Sequence, residues 1–70
     1  MIEQKNTPDE QRICLTVEQA AQSLGISRPT LLGLTHKAGF PCFRIGRRVL
    51  IPRRALLDWL DRQAAEGAVL

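Results

Sequence analysis

The sequence predicts a mainly α-helical fold with one small β-hairpin, in the order helix, helix, hairpin, helix. Apolar residues recur at helical spacing in residues 16–25 and again in residues 27–39, and start and stop signals bound each stretch. Apolar and polar residues alternate in residues 43–51, which indicates a hairpin, and helical spacing returns in residues 52–67. Seventy residues allow one domain, which we expect to span residues 13–67.

The first helix has clear signals at both ends. Thr16 followed by Gln19 is the pattern of a capping box, in which each residue bonds the other's backbone N–H. Gly25 suits the left-handed position that ends a helix. The apolar stripe between these ends comprises Val17, Ala20, Ala21 and Leu24.

The second helix is predicted over residues 27–39. Ser27 can cap its start, Pro29 is tolerated in its first turn, and Gly39 stops it. Its apolar stripe comprises Leu31, Leu34 and Ala38. Off that stripe lie Arg28, Thr30, Leu32, Gly33, His36 and Lys37. Such a free face, with basic groups, hydroxyls, a glycine and a bare leucine, suggests a surface that a partner covers.

The hairpin register follows from which side chains would share a face. A two-residue turn at Gly46 and Arg47 would mix charge into a buried face, whereas a three-residue loop over residues 46–48 pairs Ile45 with Val49 and Phe43 with Ile51. We therefore predict the three-residue loop. It leaves Arg44 and Leu50 on the outer face and Arg47 and Arg48 at the tip.

The third helix is predicted to begin with Pro52 in its first turn and to end near Gly67. Its stripe comprises Ala55, Leu56, Trp59, Leu60 and Gln63. Because the neighbours of Trp59 on this stripe are aliphatic, we expect Trp59 to be the largest core side chain rather than a stacking residue. Residues 1–12 are polar and aperiodic, so we expect a disordered N-terminal arm, with residues 68–70 as a C-terminal tail.

Basic charge is concentrated in the middle of the chain. The formal net charge is +3, yet residues 28–54 carry seven basic residues and no acidic one. The segments before and after this block are net acidic. Such segregation suggests a surface that faces a polyanion, although a basic face that serves only solubility is the alternative.

Several classes of protein are disfavoured. Cys14, Cys42 and His36 cannot complete the four ligands of a structural zinc site, and two buried, inert thiols are favoured over a disulfide. With one histidine, scattered carboxylates and no phosphate loop, we expect no enzyme, no cofactor and no small-molecule ligand. No apolar run could span a membrane and the start lacks a signal peptide, so we expect a cytoplasmic protein.

Residues 15–60 resemble a known family. The segments LTVEQAAQSLGISRPTL, GFP to RIGRR and IPRRALLDWL are similar to those of small excisionase-type DNA-binding domains, the winged helix-turn-helix relatives of the MerR regulators. The resemblance implies a winged helix-turn-helix that binds double-stranded DNA in the nucleoid. Its second helix would enter the major groove, and its wing would reach the backbone or the minor groove. Such proteins direct an integrase to excise a mobile element or regulate transcription.

The resemblance and the charge pattern together give the candidate DNA contacts. On the second helix, Arg28 and Thr30 could reach base edges, while His36 and Lys37 could bind phosphate or stabilise the helix C-terminus. Arg53 and Arg54 stand at the positive end of the third helix, so we expect a phosphate to compensate them. The whole predicted set is Ser27, Arg28, Thr30, Leu32, Gly33, His36, Lys37, Arg44, Arg47, Arg48, Arg53 and Arg54.

Two points stay open. The family often has an aromatic residue where this chain has Leu32 and a basic one where it has Gly33, so Gly33 either permits close approach to DNA or is a drifted position. The second open point is the function of the protein. An adaptor that recruits an integrase or another protein, with only weak DNA affinity, is the alternative, and a second copy of the chain is a further candidate partner.

Overall fold

The computed structural model describes residues 12–70, which form three helices and a three-stranded antiparallel sheet. The elements along the chain are β1 (Cys14–Leu15), α1 (Val17–Leu24), α2 (Arg28–Thr35), β2 (Phe43–Ile45), β3 (Arg48–Pro52) and α3 (Arg53–Glu66). α1, a three-residue turn and α2 form a helix-turn-helix, and the β2–β3 hairpin forms a wing. The predicted winged helix-turn-helix is confirmed. The predicted N-terminal arm lies outside the described residues, apart from Arg12.

α1 begins and ends as predicted. The Thr16 hydroxyl accepts a hydrogen bond from the Gln19 backbone N–H at 3.1 Å, and the Thr16 N–H donates to the Gln19 side chain at 3.0 Å. Gly25 closes the helix with φ of 73°, a left-handed conformation that favours glycine. The predicted stripe faces the core, with Val17, Ala20 and Ala21 buried.

α2 begins at its predicted cap but is shorter than predicted. The Ser27 hydroxyl accepts from the Thr30 backbone N–H at 3.2 Å. The helix ends at Thr35, not at Gly39, and Ala38 is exposed rather than part of the buried stripe. After the helix end, the next large apolar residue, Phe40, is buried in the core.

Phe40 and Trp59 form the aromatic part of that core. Their rings meet edge to face with centroids 4.9 Å apart, a favourable geometry for an aromatic pair. Trp59 is buried, as predicted, whereas the sequence does not single out Phe40. The buried side chains as a set are Leu15, Val17, Ala20, Ala21, Leu31, Phe40, Ile51, Leu56 and Trp59.

The sheet contains a strand that the sequence does not predict. β1 pairs with β3, which places Leu15 opposite Ile51 and Cys14 opposite Pro52. Two residues are too few to show alternation, so β1 depends on its partner strand. Both cysteines are free and only half-buried, so the expectation of two buried thiols is wrong. Successive side chains of a strand point to opposite faces of the sheet. Leu15 faces the core, so Cys14 lies on the face that is turned away from the core.

The predicted three-residue loop of the hairpin is wrong. β2 and β3 are joined by a two-residue turn, which pairs Ile45 with Arg48 and Phe43 with Leu50. The three-residue loop required Phe43 and Ile45 to be buried, but their side chains are 42% and 60% exposed because β2 lies at the edge of the molecule. Burial therefore does not set the register here. Gly46, with φ of 60°, fits the first position of a two-residue hairpin turn.

The corrected register moves two arginines. Arg44 pairs with Val49, so it lies on the core-side face of the hairpin and not on the outer face. Arg48 belongs to β3, opposite Ile45, and Arg47 alone remains with Gly46 in the turn. The outer face instead carries Phe43 and Leu50, which were predicted on different faces.

α3 follows β3 without a loop. Pro52 is its N-cap rather than part of its first turn, so the helix begins one residue later than predicted, and it ends before Gly67 as predicted. Leu56 and Trp59 are buried, and Leu60 packs against the core. In residues 12–70, no helix is long and apolar enough to cross a membrane.

Candidate nucleic-acid interface

α2 presents most of its predicted contact residues to solvent. Arg28, Thr30, Gly33 and His36 are exposed, while Leu31 is fully buried and fixes which side of the helix faces the core. Outside the helix, Ser27 before its start and Lys37 after its end are predicted contacts that are exposed as well. The free face predicted from the sequence therefore exists.

A cleft separates the start of α2 from the wing, and three predicted arginines meet there. Its volume is about 290 Å³, and its walls come from the first turn of α1, the start of α2 and the wing. Arg28 contributes from α2, and Arg47 and Arg48 contribute from the wing. The two-residue turn places Arg48 in the strand beside the cleft.

A second cleft of about 370 Å³ continues between the end of α2 and β2. It is lined by His36 on the helix side and Arg44 on the wing side. Leu32 lines both clefts and packs against the core, so its side chain is half-buried rather than bare. We name the two clefts together the α2–wing trough; its polar candidates are Arg28, His36, Arg44, Arg47 and Arg48.

The opposite side of α2 borders a different surface. Thr30, Gly33 and Lys37 line an apolar groove of about 480 Å³. Its apolar walls come from Leu24, Ile26, Leu34, Trp59, Leu60 and Leu70. The predicted contacts of α2 are therefore divided between the basic trough and this groove.

The Ser27 and Thr30 hydroxyls serve the helix start. Their oxygens are 2.8 Å apart, and Ser27 also accepts from the Thr30 backbone N–H. Each hydroxyl can still make a further hydrogen bond with a ligand, because a hydroxyl has one donor and two acceptor positions.

The structure does not bring Arg53 into the trough. Its Nε donates to the Arg12 backbone carbonyl at 3.2 Å, and its backbone N–H donates to the Ile13 carbonyl at 3.0 Å. These contacts tie the start of α3 to the chain before β1. The Arg12 carbonyl oxygen is therefore the partner of the Arg53 guanidinium, where we expected a phosphate. Arg54 is exposed in the first turn of α3 and lines neither cleft of the trough.

Glu18 lies in the same cleft as Arg28, and it was not among the contact residues predicted from the sequence. The Glu18 Oε2 is 3.3 Å from the Arg28 Nε, and the side chains are 73% and 55% exposed. The two residues belong to different helices, and only the crossing of α1 and α2 brings them together. A carboxylate in the first turn of a helix is also common because it favours the helix dipole, so no separate signal marks Glu18 in the sequence.

Gly33 has no role inside the chain. Its φ is not in the left-handed region, and a Cβ built on it would meet nothing within 4 Å. Neither backbone conformation nor internal packing explains this glycine. Within residues 12–70, no three side chains of the His, Cys, Asp and Glu types cluster as metal ligands.

Comparison with known proteins agrees with this architecture. A curated relative from Saccharopolyspora erythraea, described as a "Probable excisionase", is 40% identical over 55 residues. The aligned part is 79% of this chain but 56% of the relative, so the chain spans little more than half of that protein's length. No solved structure gives a significant match.

A family model described as a helix-turn-helix domain matches residues 14–64. The match begins at β1, includes both helices of the helix-turn-helix and the wing, and extends through most of α3. The chain therefore belongs to the helix-turn-helix domain family.

Proposed function

We propose that this protein binds double-stranded DNA through the α2–wing trough. The observation that carries the proposal is the meeting of Arg28, Arg47 and Arg48 in one cleft beside an exposed helix. Guanidinium groups bind phosphate oxygens in bidentate fashion and displace the counterions that DNA condenses. A helix beside such a cluster has the size to enter the major groove.

α2 and the wing would then contact different parts of the duplex. α2 would enter the major groove with Arg28 and Thr30 near base edges. The wing would place Arg44, Arg47 and Arg48 against the backbone or in a narrow minor groove, where arginine is attracted by the negative potential. His36 and Lys37 would contact phosphates near the end of α2. Arg53 and Arg54 have the least support as contacts, since both belong to α3 rather than to α2 or the wing, and Arg53 is bonded to the Arg12 carbonyl.

The biological role that we propose is that of a recombination directionality factor, which helps an integrase excise a mobile element, or of a regulator of such an element's transcription. Similarity to a protein described as a probable excisionase supports this role. The proposal includes no catalysis, no cofactor, and a place in the cytoplasm with the nucleoid. An integrase or a second copy of the chain would be the protein partner.

An adaptor function is the second candidate, and the apolar groove beside α3 favours it. The groove is about 480 Å³ and is walled by side chains such as Leu34 and Leu60. An adaptor would bind a protein there and would bind DNA only weakly. Its binding would depend on apolar surface and change little with salt.

A salt series separates the two functions. We expect the affinity for a generic fluorescent duplex to fall with salt with a log-log slope steeper than about −3, since three or more phosphates are neutralised. The variant with Arg47→Ala and Arg48→Ala should have a slope shallower by about 2. Arg62→Ala is the matched control, because Arg62 is exposed on α3 and lines neither cleft of the trough. Undetectable binding of the wild type at low salt would overturn DNA binding and favour the adaptor.

A further inference from the structure

Among residues 12–70, a single carboxylate lies with the arginines of the trough. Glu18 lines the same cleft as Arg28, Arg47 and Arg48, and it is the acidic residue among those that line it. A negative charge at this position repels phosphate and lowers the affinity for DNA of any sequence. The carboxylate suits the first turn of α1, and its place in an otherwise basic cleft also gives it a charged neighbour there.

That neighbour is Arg28. Glu18 Oε2 lies 3.3 Å from the Nε of Arg28 and so engages one of the guanidinium N–H groups. The two terminal nitrogens remain available. They form the planar pair of donors that can bind O6 and N7 of guanine together.

Both partners are held on packed helices. The capping box between Thr16 and Gln19 fixes the start of α1 on either side of Glu18, and Ala20 is fully buried. Arg28 directly follows Ser27, the N-cap of α2. The ion pair therefore favours orientations of the flexible Arg28 side chain in which its Nε faces Glu18. Because both side chains are exposed, the pair adds little to folding stability, and its removal should leave the fold intact.

We propose that Glu18 is a specificity-determining residue of the DNA interface that acts by positioning Arg28. It directs the terminal nitrogens of Arg28 toward a base edge, with guanine as the preferred base, and its charge weakens contacts with phosphates of non-matching DNA. The inference rests on the proposed function. Glu18 itself lies outside the basic block of residues 28–54.

The test compares matching and non-matching DNA. A preferred duplex is first selected with the wild type, and its affinity and that of a scrambled duplex are measured for wild type, Glu18→Ala and Glu18→Gln. For Glu18→Ala we expect scrambled DNA to bind roughly threefold more tightly and the ratio of the two affinities to fall by at most about fivefold. Gln keeps a hydrogen-bond acceptor, so Glu18→Gln should retain part of the ratio.

Two controls make the result specific. Glu66→Gln removes a carboxylate from the far end of α3 and should leave the ratio unchanged. In an Arg28→Ala background, Glu18→Ala should not lower the ratio further, because the residue that it positions is absent. Thermal unfolding of each variant verifies that the fold is retained.

The contradicting outcomes are distinct. If Glu18→Ala raises both affinities by the same factor, or changes neither, the positioning role is wrong while DNA binding stands. If the wild type binds neither a selected nor a generic duplex, the proposed function fails and the role of Glu18 fails with it.

Discussion

At the scale of single residues, two glycines near the proposed interface have opposite structural status. Gly46 has φ of 60° in the turn of the wing, where any side chain would be strained. Gly33 stands in an ordinary helical conformation with open space where a Cβ would be. The first glycine is required by the fold, and the second is not.

Replacing Gly33 tests whether DNA requires what the fold does not. Gly33→Ala should raise the free energy of unfolding by about 1 kcal/mol, because alanine is the better helix former and its methyl group meets no neighbour. Chemical denaturation measures this change. Ala65→Gly, at an exposed position of α3, is the control and should lower stability by a similar amount.

DNA affinity of the same variant decides between the two interpretations of Gly33. A loss of affinity in the more stable protein would indicate that the helix backbone approaches DNA closely at this residue. Unchanged affinity would indicate a drifted position. A fall in stability of Gly33→Ala would contradict the structural account of this site.

At the scale of elements, the wing is the part whose geometry depends most on one residue. β2 is three residues long, all of them exposed, and its hydrogen-bonded neighbour in the sheet is β3. The turn at Gly46 and Arg47 therefore sets the register with little help from burial. The register in turn places Arg44 and Arg48 on opposite faces of the hairpin.

Gly46→Val should disrupt the wing while leaving the helices folded. A β-branched residue in the left-handed region is unfavourable by about 1–2 kcal/mol, which a short exposed hairpin cannot offset. We expect faster amide hydrogen exchange in residues 43–49 and a helical circular dichroism signal close to that of the wild type. Gly46→Asn is the milder comparison and should have a smaller effect, because asparagine adopts a positive φ more readily than valine does. Unchanged exchange in Gly46→Val would show that the turn does not determine the register.

At the scale of the whole molecule, signals within one element were predictable and contacts between elements were not. Thr16 and Ser27 were identified as caps because capping depends on residues three positions apart. The burial of Phe40 was missed because it depends on the packing of Phe40 against Trp59. The hairpin register failed for a related reason, since it assumed burial that only neighbouring elements could provide.

The residues of the candidate site were also predictable within one element but not across elements. The basic block was visible in the sequence, but its arginines separate in space: Arg28, Arg47 and Arg48 meet in one cleft, while Arg53 is tied to the Arg12 carbonyl. Charge counted along the chain cannot distinguish these cases. Glu18 joins the site through the crossing of two helices.

The central claim is that DNA binds in the α2–wing trough, and amide chemical-shift mapping tests it most directly. Isotope-labelled wild-type protein is titrated with a short duplex at low salt. We expect the largest changes at the trough residues Arg28, Leu32 and His36 and in the wing, residues 43–49, and small changes in residues 57–66 of α3. Changes confined to α3 and the apolar groove, with the trough unaffected, would contradict the account.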